Sequence, residues 1–139
     1  MTARNATFEC GGAQIRSHTR HLATVVAVHG DINSDNVDTV SDRVRRFILT
    51  KDRLVFDVSD VKAIGSEALS MFRMIGEDCA AAAVDWAVVA SLPVRNLLRG
   101  SEYEATVPLE GSVSSALHHF AEAIDTRREL LLPLVRKSA

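Results

Sequence analysis

Five histidines are the first residues to consider, because imidazole is a common metal ligand and a common acid or base near neutral pH. They are His18, His21, His29, His118 and His119. His18 and His21 bracket an expected turn, while His118 and His119 are neighbours on an expected helix and therefore point in different directions. This spacing favours polar surface positions over a metal site. We therefore expect neither a metal nor another cofactor.

The two cysteines and a search for known catalytic motifs indicate whether the protein is expected to be an enzyme. Cys10 lies in a polar segment and Cys79 lies on an apolar helical stripe. A catalytic thiol needs a base and an electropositive setting, which neither sequence context offers, so two free thiols are expected. The chain also lacks the GxSxG, P-loop and GxGxxG patterns. We predict no catalytic residue and a protein that is not an enzyme.

Two polar segments follow apolar strands and are the strongest candidates for a binding surface. One is the turn at residues 30–34, and the other is the loop at residues 56–69, which leads from the central strand into the second helix and contains Ser66. In an open parallel sheet, loops after the strands meet at one edge, where ligands and partners bind. Ser66 is expected at a helix N-terminus, where backbone N–H groups favour added negative charge.

Alternating strands and helices must position these segments. Residues 14–17 and 23–28 predict a hairpin, and residues 54–58, 86–90 and 105–107 predict three further strands. Ser34 is the expected N-cap of the first helix, and Pro93 opens a short third helix. The other helices have these apolar stripes: Val37, Val40, Val44, Phe47 and Ile48; Leu69, Phe72, Ile75 and Cys79; Val113, Ala116, Leu117, Phe120 and Ile124. The order ββαβαβαβα, about five strands and four helices, predicts an α/β fold with a mostly parallel central sheet and an antiparallel edge hairpin.

Length and composition indicate one domain of 139 residues. We expect a loosely ordered lead-in over residues 1–12, a domain over 13–126 and a C-terminal extension over 127–139. The extension joins leucines to basic residues, and we interpret it as an extra helical turn docked on the body or as a dimer or partner contact. A membrane-surface role is weaker, because Pro133 would break the segment.

The charge balance and the apolar runs exclude two classes of partner. The net charge of −2, from 16 basic and 18 acidic residues, argues against nucleic acid. The apolar runs are too short for a membrane span, and the N-terminus does not have the pattern of an export signal. We therefore expect no membrane association and a location in the cytoplasm.

The two polar segments carry a resemblance to a known family. The strand with Asp57-Val58-Ser59, the spacing of Val61 and Ile64, the serine at the helix entry and Leu69 resemble the STAS domain of anti-sigma factor antagonists. Gly30-Asp31-Ile32 resembles that family's first loop, and the similarity covers residues 13–124. It implies an anti-sigma factor or kinase-type regulatory partner, whose binding is lost when Ser66 is phosphorylated.

Under this hypothesis the partner surface comprises the 31–34 turn, the 63–68 loop and the exposed face of the second helix. Its residues are Asp31, Ile32, Asn33, Ser34, Gly65, Ser66, Glu67, Ser70, Met71 and Met74, with Arg73 beside them. Burial of the two methionines against a neighbouring helix is an equal alternative.

The resemblance is incomplete around the serine, which leaves alternatives open. The family's Asp-Ser-Ser/Thr-Gly pattern is Gly65-Ser66-Glu67-Ala68 here, and Asn33 stands where an acid is common. Ser66 is either a phosphoacceptor or a plain N-cap, and Glu67 is either a phosphate mimic or a first-turn acid. A non-phosphorylated scaffold or dimerisation module, with a possible homodimer, and a small-ligand or nucleotide sensor are the alternative functions.

Overall fold

A six-stranded sheet forms the centre of the computed structural model. The structure describes residues 6–20, 23–50 and 52–138, and for residues 131–138 the backbone alone. The strands are β1 (Ala6–Cys10), β2 (Ala13–Thr19), β3 (Ala23–Ile32), β4 (Arg53–Ile64), β5 (Trp86–Ala90) and β6 (Leu109–Glu110), and they lie side by side in chain order. Pairing is antiparallel from β1 to β3 and parallel from β3 to β6. The predicted α/β fold with an antiparallel edge is confirmed.

Four helices cover the two faces of this sheet: α1 (Val37–Ile48), α2 (Ala68–Ala82), α3 (Leu92–Leu98) and α4 (Val113–Ser138). Successive strand residues point to opposite faces, and the buried residues accordingly form two clusters. The larger cluster joins the sheet to α1, α2 and α3, and its Phe56 and Phe72 rings lie 5.9 Å apart. The smaller cluster joins the opposite face to α4 through Ala116 and Phe120. The predicted stripes thus face the sheet.

Strand β1 was not predicted. Residues 6–10 belong to the expected loose lead-in, but they pair with β2 along their whole length, so ordered structure begins before Ala13. Phe8 packs against the larger cluster, and the guanidinium carbon of Arg43 lies 3.7 Å from its ring centroid. A cation over an aromatic face is attracted by the ring quadrupole. Residues 1–5 lie outside the described part of the chain.

The last strand and the C-terminal helix also differ from prediction. The strand expected at residues 105–107 is wrong, because residues 102–106 form turns and the last strand is Leu109–Glu110. Helix α4 continues to Ser138, so Pro133 does not end it, and side chains 125–130 are exposed. Arg127, the first residue of the predicted extension, lines a cavity beside Ala80 and Asp85. Among the described residues, no helix is both long enough and apolar enough to cross a membrane.

A polar cluster ties the edge strand β6 to α4. The Ser115 hydroxyl donates to Glu110 Oε1 (2.8 Å), and His119 Nδ1 lies 2.7 Å from Glu110 Oε2. The hydrogen bond to His119 holds the pKa of Glu110 below its ordinary value, and the same contact raises the pKa of His119. In an acyl-transfer triad the histidine would contact the serine, whereas here the glutamate separates them. The cluster is therefore suited to fixing β6 rather than to activating Ser115.

Candidate functional site

The candidate site begins where β3 and β4 end together. The two polar segments were expected to be loops, but much of each is strand, because β3 extends to Ile32 and β4 extends to Ile64. Ile32 pairs with Ile64, and the Gly65 N–H donates to the Ile32 carbonyl at 3.0 Å. Because these two parallel strands end at the same level of the sheet, the turns that follow them lie next to each other. The 33–36 turn and the 65–67 turn are therefore neighbours, as the sequence predicted.

Ser66 lies in the turn between β4 and α2. Helix α2 begins at Ala68, its N-cap position is Glu67, and neither Glu67 nor Ser66 provides a side-chain cap. The Ser66 carbonyl accepts the Leu69 N–H at 3.1 Å, while its side chain is exposed. The N-cap interpretation of Ser66 is therefore wrong in this structure. The hydroxyl is available to solvent within one turn of a helix N-terminus.

Two asparagines close the turn before α1. Asn33 Oδ1 accepts the N–H groups of Asp35 (2.9 Å) and Asn36 (3.1 Å), and Asn36 Oδ1 accepts the Asn33 N–H at 2.9 Å. This reciprocal arrangement resembles a capping box. Ser34, the expected N-cap, is exposed and precedes the Asn36 N-cap position by two residues. Asn36 holds the N-cap position of α1 without a side-chain cap hydrogen bond, so the prediction of Ser34 as the N-cap is wrong.

Asn36 is the structural residue that sequence reasoning missed. Its side chain is 1% exposed, and its amide nitrogen donates to the carbonyls of Gly11 (2.9 Å), Asp31 (2.9 Å) and, more weakly, Cys10 (3.4 Å). One buried amide thus joins the β1–β2 turn, the end of β3 and the start of α1. A polar residue among polar neighbours gives no sequence signal for such a role.

The predicted partner residues divide into three groups by exposure. Asp31, Ser34, Ser66, Glu67 and Ser70 are exposed; Asn33, Gly65 and Met74 are half-buried; Ile32 and Met71 are buried at 1% and 0% exposure. Ile32 and Met71 therefore belong to the core and offer no surface to a partner. We define the Ser66 surface as Asp31, Ser34, Asp35, Ser66, Glu67 and Ser70, all exposed.

Met74 is placed by contacts between α1 and α2. Arg45 on α1 forms an ion pair with Asp78 on α2, and Arg45 Nη1 lies 3.8 Å from the Met74 sulfur. The side chain is half-buried between the helices, which is the alternative that the sequence left open. Arg73, one position earlier, is exposed and pairs with Glu77 at 3.0 Å on its own helix.

Glu67 turns its carboxylate back toward Gly65. A Cβ atom placed on Gly65 would lie 1.7 Å from Glu67 Oε1 and 2.9 Å from Glu67 Cδ. The carboxylate therefore fills the space that a side chain at position 65 would occupy. Its negative charge lies beside the backbone of the Ser66 turn, and the exposed Asp31 and Asp35 carboxylates belong to the same surface.

Three of the histidines, His29, His118 and His119, have acidic neighbours, and both cysteines are free thiols. His29 Nδ1 is 3.1 Å from Asp60 and His118 Nε2 is 2.8 Å from Glu122. His21 lies outside the described residues, and among those described no three potential ligands form a metal-binding group. Burial, with a smaller contribution from Asp78, raises the pKa of the buried Cys79 thiol to about 12. This thiol is protonated at neutral pH and is not a nucleophile.

The fold and the two adjacent turns agree with one domain family, and the sequence matches the model of that family. The chain belongs to the STAS domain family, whose model matches residues 13–126. It is 45% identical to osmosensory protein A of Mycobacterium tuberculosis (strain ATCC 25618 / H37Rv), over 97% of this chain and 88% of that protein.

Two solved structures share the fold. An anti-sigma factor antagonist from Mycobacterium paratuberculosis superposes with a TM-score of 0.72 at 21% identity, covering 78% of this chain and 94% of that one. The unphosphorylated form of the anti-sigma factor antagonist SpoIIAA superposes with a TM-score of 0.58 at 13% identity, covering 83% and 96% of the two chains. The chain is thus a STAS module with the fold of anti-sigma factor antagonists.

Proposed function

We propose that this chain is a regulatory module of the cytoplasm that docks its Ser66 surface on an anti-sigma factor or a kinase-type regulator. The observation that carries the proposal is the exposed Ser66 hydroxyl, in a turn held beside the 33–36 turn by the Gly65–Ile32 hydrogen bond. The STAS fold, and its likeness to two anti-sigma factor antagonists of known structure, support this class of partner.

We further propose that phosphorylation of Ser66 releases the partner. A phosphate adds about −1.5 to −2 charges at neutral pH. The N-terminus of α2 favours negative charge, so the modified chain is expected to keep its fold. The added charge joins the carboxylates of Glu67, Asp31 and Asp35 on the same surface. A partner that closes over this surface then meets a larger and more hydrated anion, and binding weakens.

Replacing Ser66 with aspartate is expected to weaken partner binding at least tenfold, which corresponds to a loss of about 1.4 kcal/mol or more. Ser66→Ala is expected to bind as the wild type does, and Glu67→Gln to bind at least as tightly because it removes a neighbouring charge. Binding to a co-purified regulator is measured by isothermal titration calorimetry. The matched control is Ser114→Asp, an exposed serine in the first turn of α4. Equal loss in both aspartate variants, or no loss in Ser66→Asp, contradicts the proposal.

The relative named osmosensory protein A suggests which signal acts on this module. We propose that the phosphate content of Ser66 responds to external osmolarity. Mass spectrometry of the chain from cells before and after an osmotic upshift is expected to show a changed ratio of modified to unmodified Ser66 peptide. An unchanged ratio, with phosphate detected, removes osmolarity as the signal and leaves the Ser66 switch intact.

A further inference from the structure

A cavity of about 480 Å³ lies where β4 and β5 begin, at the opposite end of the sheet from the Ser66 surface. The start of β4 contributes Arg53, α4 contributes Arg127, and the end of α2 with the following turn contributes residues 79, 80 and 83–85. Small-molecule sites in proteins have volumes of about 300–1,000 Å³. The cavity is therefore large enough for a small ligand, and it shares no residue with the Ser66 surface.

The two strands place an arginine and an aspartate side by side at the entrance to the sheet. Arg53 precedes Val55 by two residues and Asp85 precedes Ala87 by two, and Val55 and Ala87 pack against α4. Residues two apart along a strand share a face. The Leu54 N–H donates to the Asp85 carbonyl at 3.0 Å, which fixes the turn before β5 against the start of β4. Both charged groups therefore belong to the face that α4 covers.

Arg127 reaches the same cavity from α4. It follows Ala116, Phe120 and Ile124 at spacings of four, four and three residues, which is the spacing of one stripe on a helix. The first two of these pack against the sheet, and Ile124 is half-buried. Arg127 thus continues the packed stripe beyond the edge of the sheet, where its exposed side chain borders the cavity.

The two arginines make one side of the cavity suited to a carboxylate. Arg53 Nε is buried and has no hydrogen-bond partner within the described part of the chain, and Asp85 Oδ2 lies 3.7 Å from it, which is too far for a hydrogen bond. A buried donor without a partner is unfavourable. Guanidinium groups match the planar geometry of a carboxylate, so a ligand carboxylate between Arg53 and Arg127 would supply the missing acceptor.

The other side of the cavity is suited to a cation. Asp85 is exposed there, and the C-terminal end of α2 borders the same space. The last turn of α2, which the structure describes in full, contains no basic residue. The C-terminus of a helix carries partial negative charge and favours a cation. A simple anion would be repelled by both features, whereas a ligand that carries one charge of each sign would satisfy both sides.

We propose that this cavity binds an α-amino acid with an aliphatic side chain. Its carboxylate contacts Arg53 and Arg127, and its ammonium group contacts Asp85 and the end of α2. Its side chain lies against Ala80, Ala83 and Val84, which are apolar and line the cavity. The site is separate from the Ser66 surface, so this inference does not depend on the proposed function.

Nuclear magnetic resonance titration of the full ¹⁵N-labelled chain with L-leucine tests the proposal. Saturable shifts are expected at the Arg53 Nε–H signal and at the backbone N–H groups of residues 83–85, with a dissociation constant of about 1 mM or lower. Isocaproate is leucine without its ammonium group, and isoamylamine is leucine without its carboxylate. Both, and inorganic phosphate, are expected to bind at least tenfold more weakly than L-leucine.

Variants of the two opposite sides complete the test. Arg127→Ala and Asp85→Asn change exposed residues, so both variants are expected to fold, and each is expected to weaken L-leucine binding at least tenfold. The matched control is Arg128→Ala, which changes the neighbouring exposed arginine and is expected to bind as the wild type does.

Four results would each overturn the proposal. They are the absence of saturable shifts at about 10 mM L-leucine, tenfold above a dissociation constant of about 1 mM; binding of isocaproate, isoamylamine or phosphate as tight as that of L-leucine; unchanged binding in Arg127→Ala or Asp85→Asn; and an equal loss in Arg128→Ala.

Discussion

Replacing Asn36 with alanine is expected to lower the free energy of unfolding by roughly 3 kcal/mol, because three partly buried hydrogen bonds between its side chain and the backbone are lost at once. The lost bonds are those to the Gly11 and Asp31 carbonyls and from the Asn33 N–H, each 2.9 Å long in the structure. Urea denaturation followed by circular dichroism measures the loss. Because Asn36 holds the β1–β2 turn against the start of α1, the folded variant is also expected to bind the proposed regulatory partner more weakly.

Asn96→Ala is the matched control for this prediction. Asn96 is an exposed asparagine on α3, and its replacement is expected to change stability by no more than about 0.5 kcal/mol. If the two variants unfold at the same urea concentration, the carbonyls around Asn36 have found other partners and its role as a structural link is wrong.

Replacing Gly30 with alanine is expected to destabilise the fold by about 3 kcal/mol, for two reasons that add. Gly30 has a φ of +98°, which costs an L-residue about 1–2 kcal/mol. A Cβ there would lie 2.4 Å from the Gly12 carbonyl oxygen, an oxygen that accepts the Asp31 N–H at 3.1 Å. The backbone would have to move apart, and this hydrogen bond would be lost at a cost of roughly 1 kcal/mol.

Two other glycines separate the effect of backbone strain from the effect of the close contact with Gly12. Gly100 has a φ of +78° but open space around its Cα, so Gly100→Ala is expected to show the backbone strain alone, about 1 kcal/mol. Gly111 has open space and no positive φ, and Gly111→Ala is expected to be close to neutral. Thermal and urea denaturation of the three variants measure how much stability each one loses. An effect at Gly30 equal to that at Gly100 would show that the approach of Gly12 imposes no constraint.

Periodicity was a reliable guide where one face of a helix meets the sheet. Val40 and Val44 of α1, and Phe72 and Ile75 of α2, were predicted from spacing and are buried at 0–1% exposure. For Met71 the spacing left two alternatives open, a free face or burial against a neighbouring helix, and the structure buries it. Helix α2 packs against α1 as well as the sheet, so the buried arc is wider than a single stripe. The four-residue spacing of Met71, Ile75 and Cys79 was the available signal.

The ends of strands were predicted less well than their centres. The sequence predicted that β3 would end before Gly30 and its polar neighbours. In the structure, β3 continues to Ile32 and β4 to Ile64, with register shifts in their pairing near His29 and Gly30. Such irregular pairing depends on contacts with the neighbouring strand, and the propensities of the residues within one strand carry no information about those contacts. Ile32 is buried for this reason and does not face a partner.

The amino-acid pattern was sufficient for the α/β order, the parallel centre of the sheet and the meeting of two polar turns around Ser66, because each follows from local periodicity and chain direction. Three features depended on contacts between distant segments. These are the pairing of β1, the burial of Asn36 between carbonyls from the β1–β2 turn and the end of β3, and the exposure of residues 125–130 of α4. Burial and hydrogen bonding between distant segments are properties of the packed chain, so the tertiary structure alone distinguishes an exposed Ser66 from a buried Ile32 or Met71 on the same predicted surface.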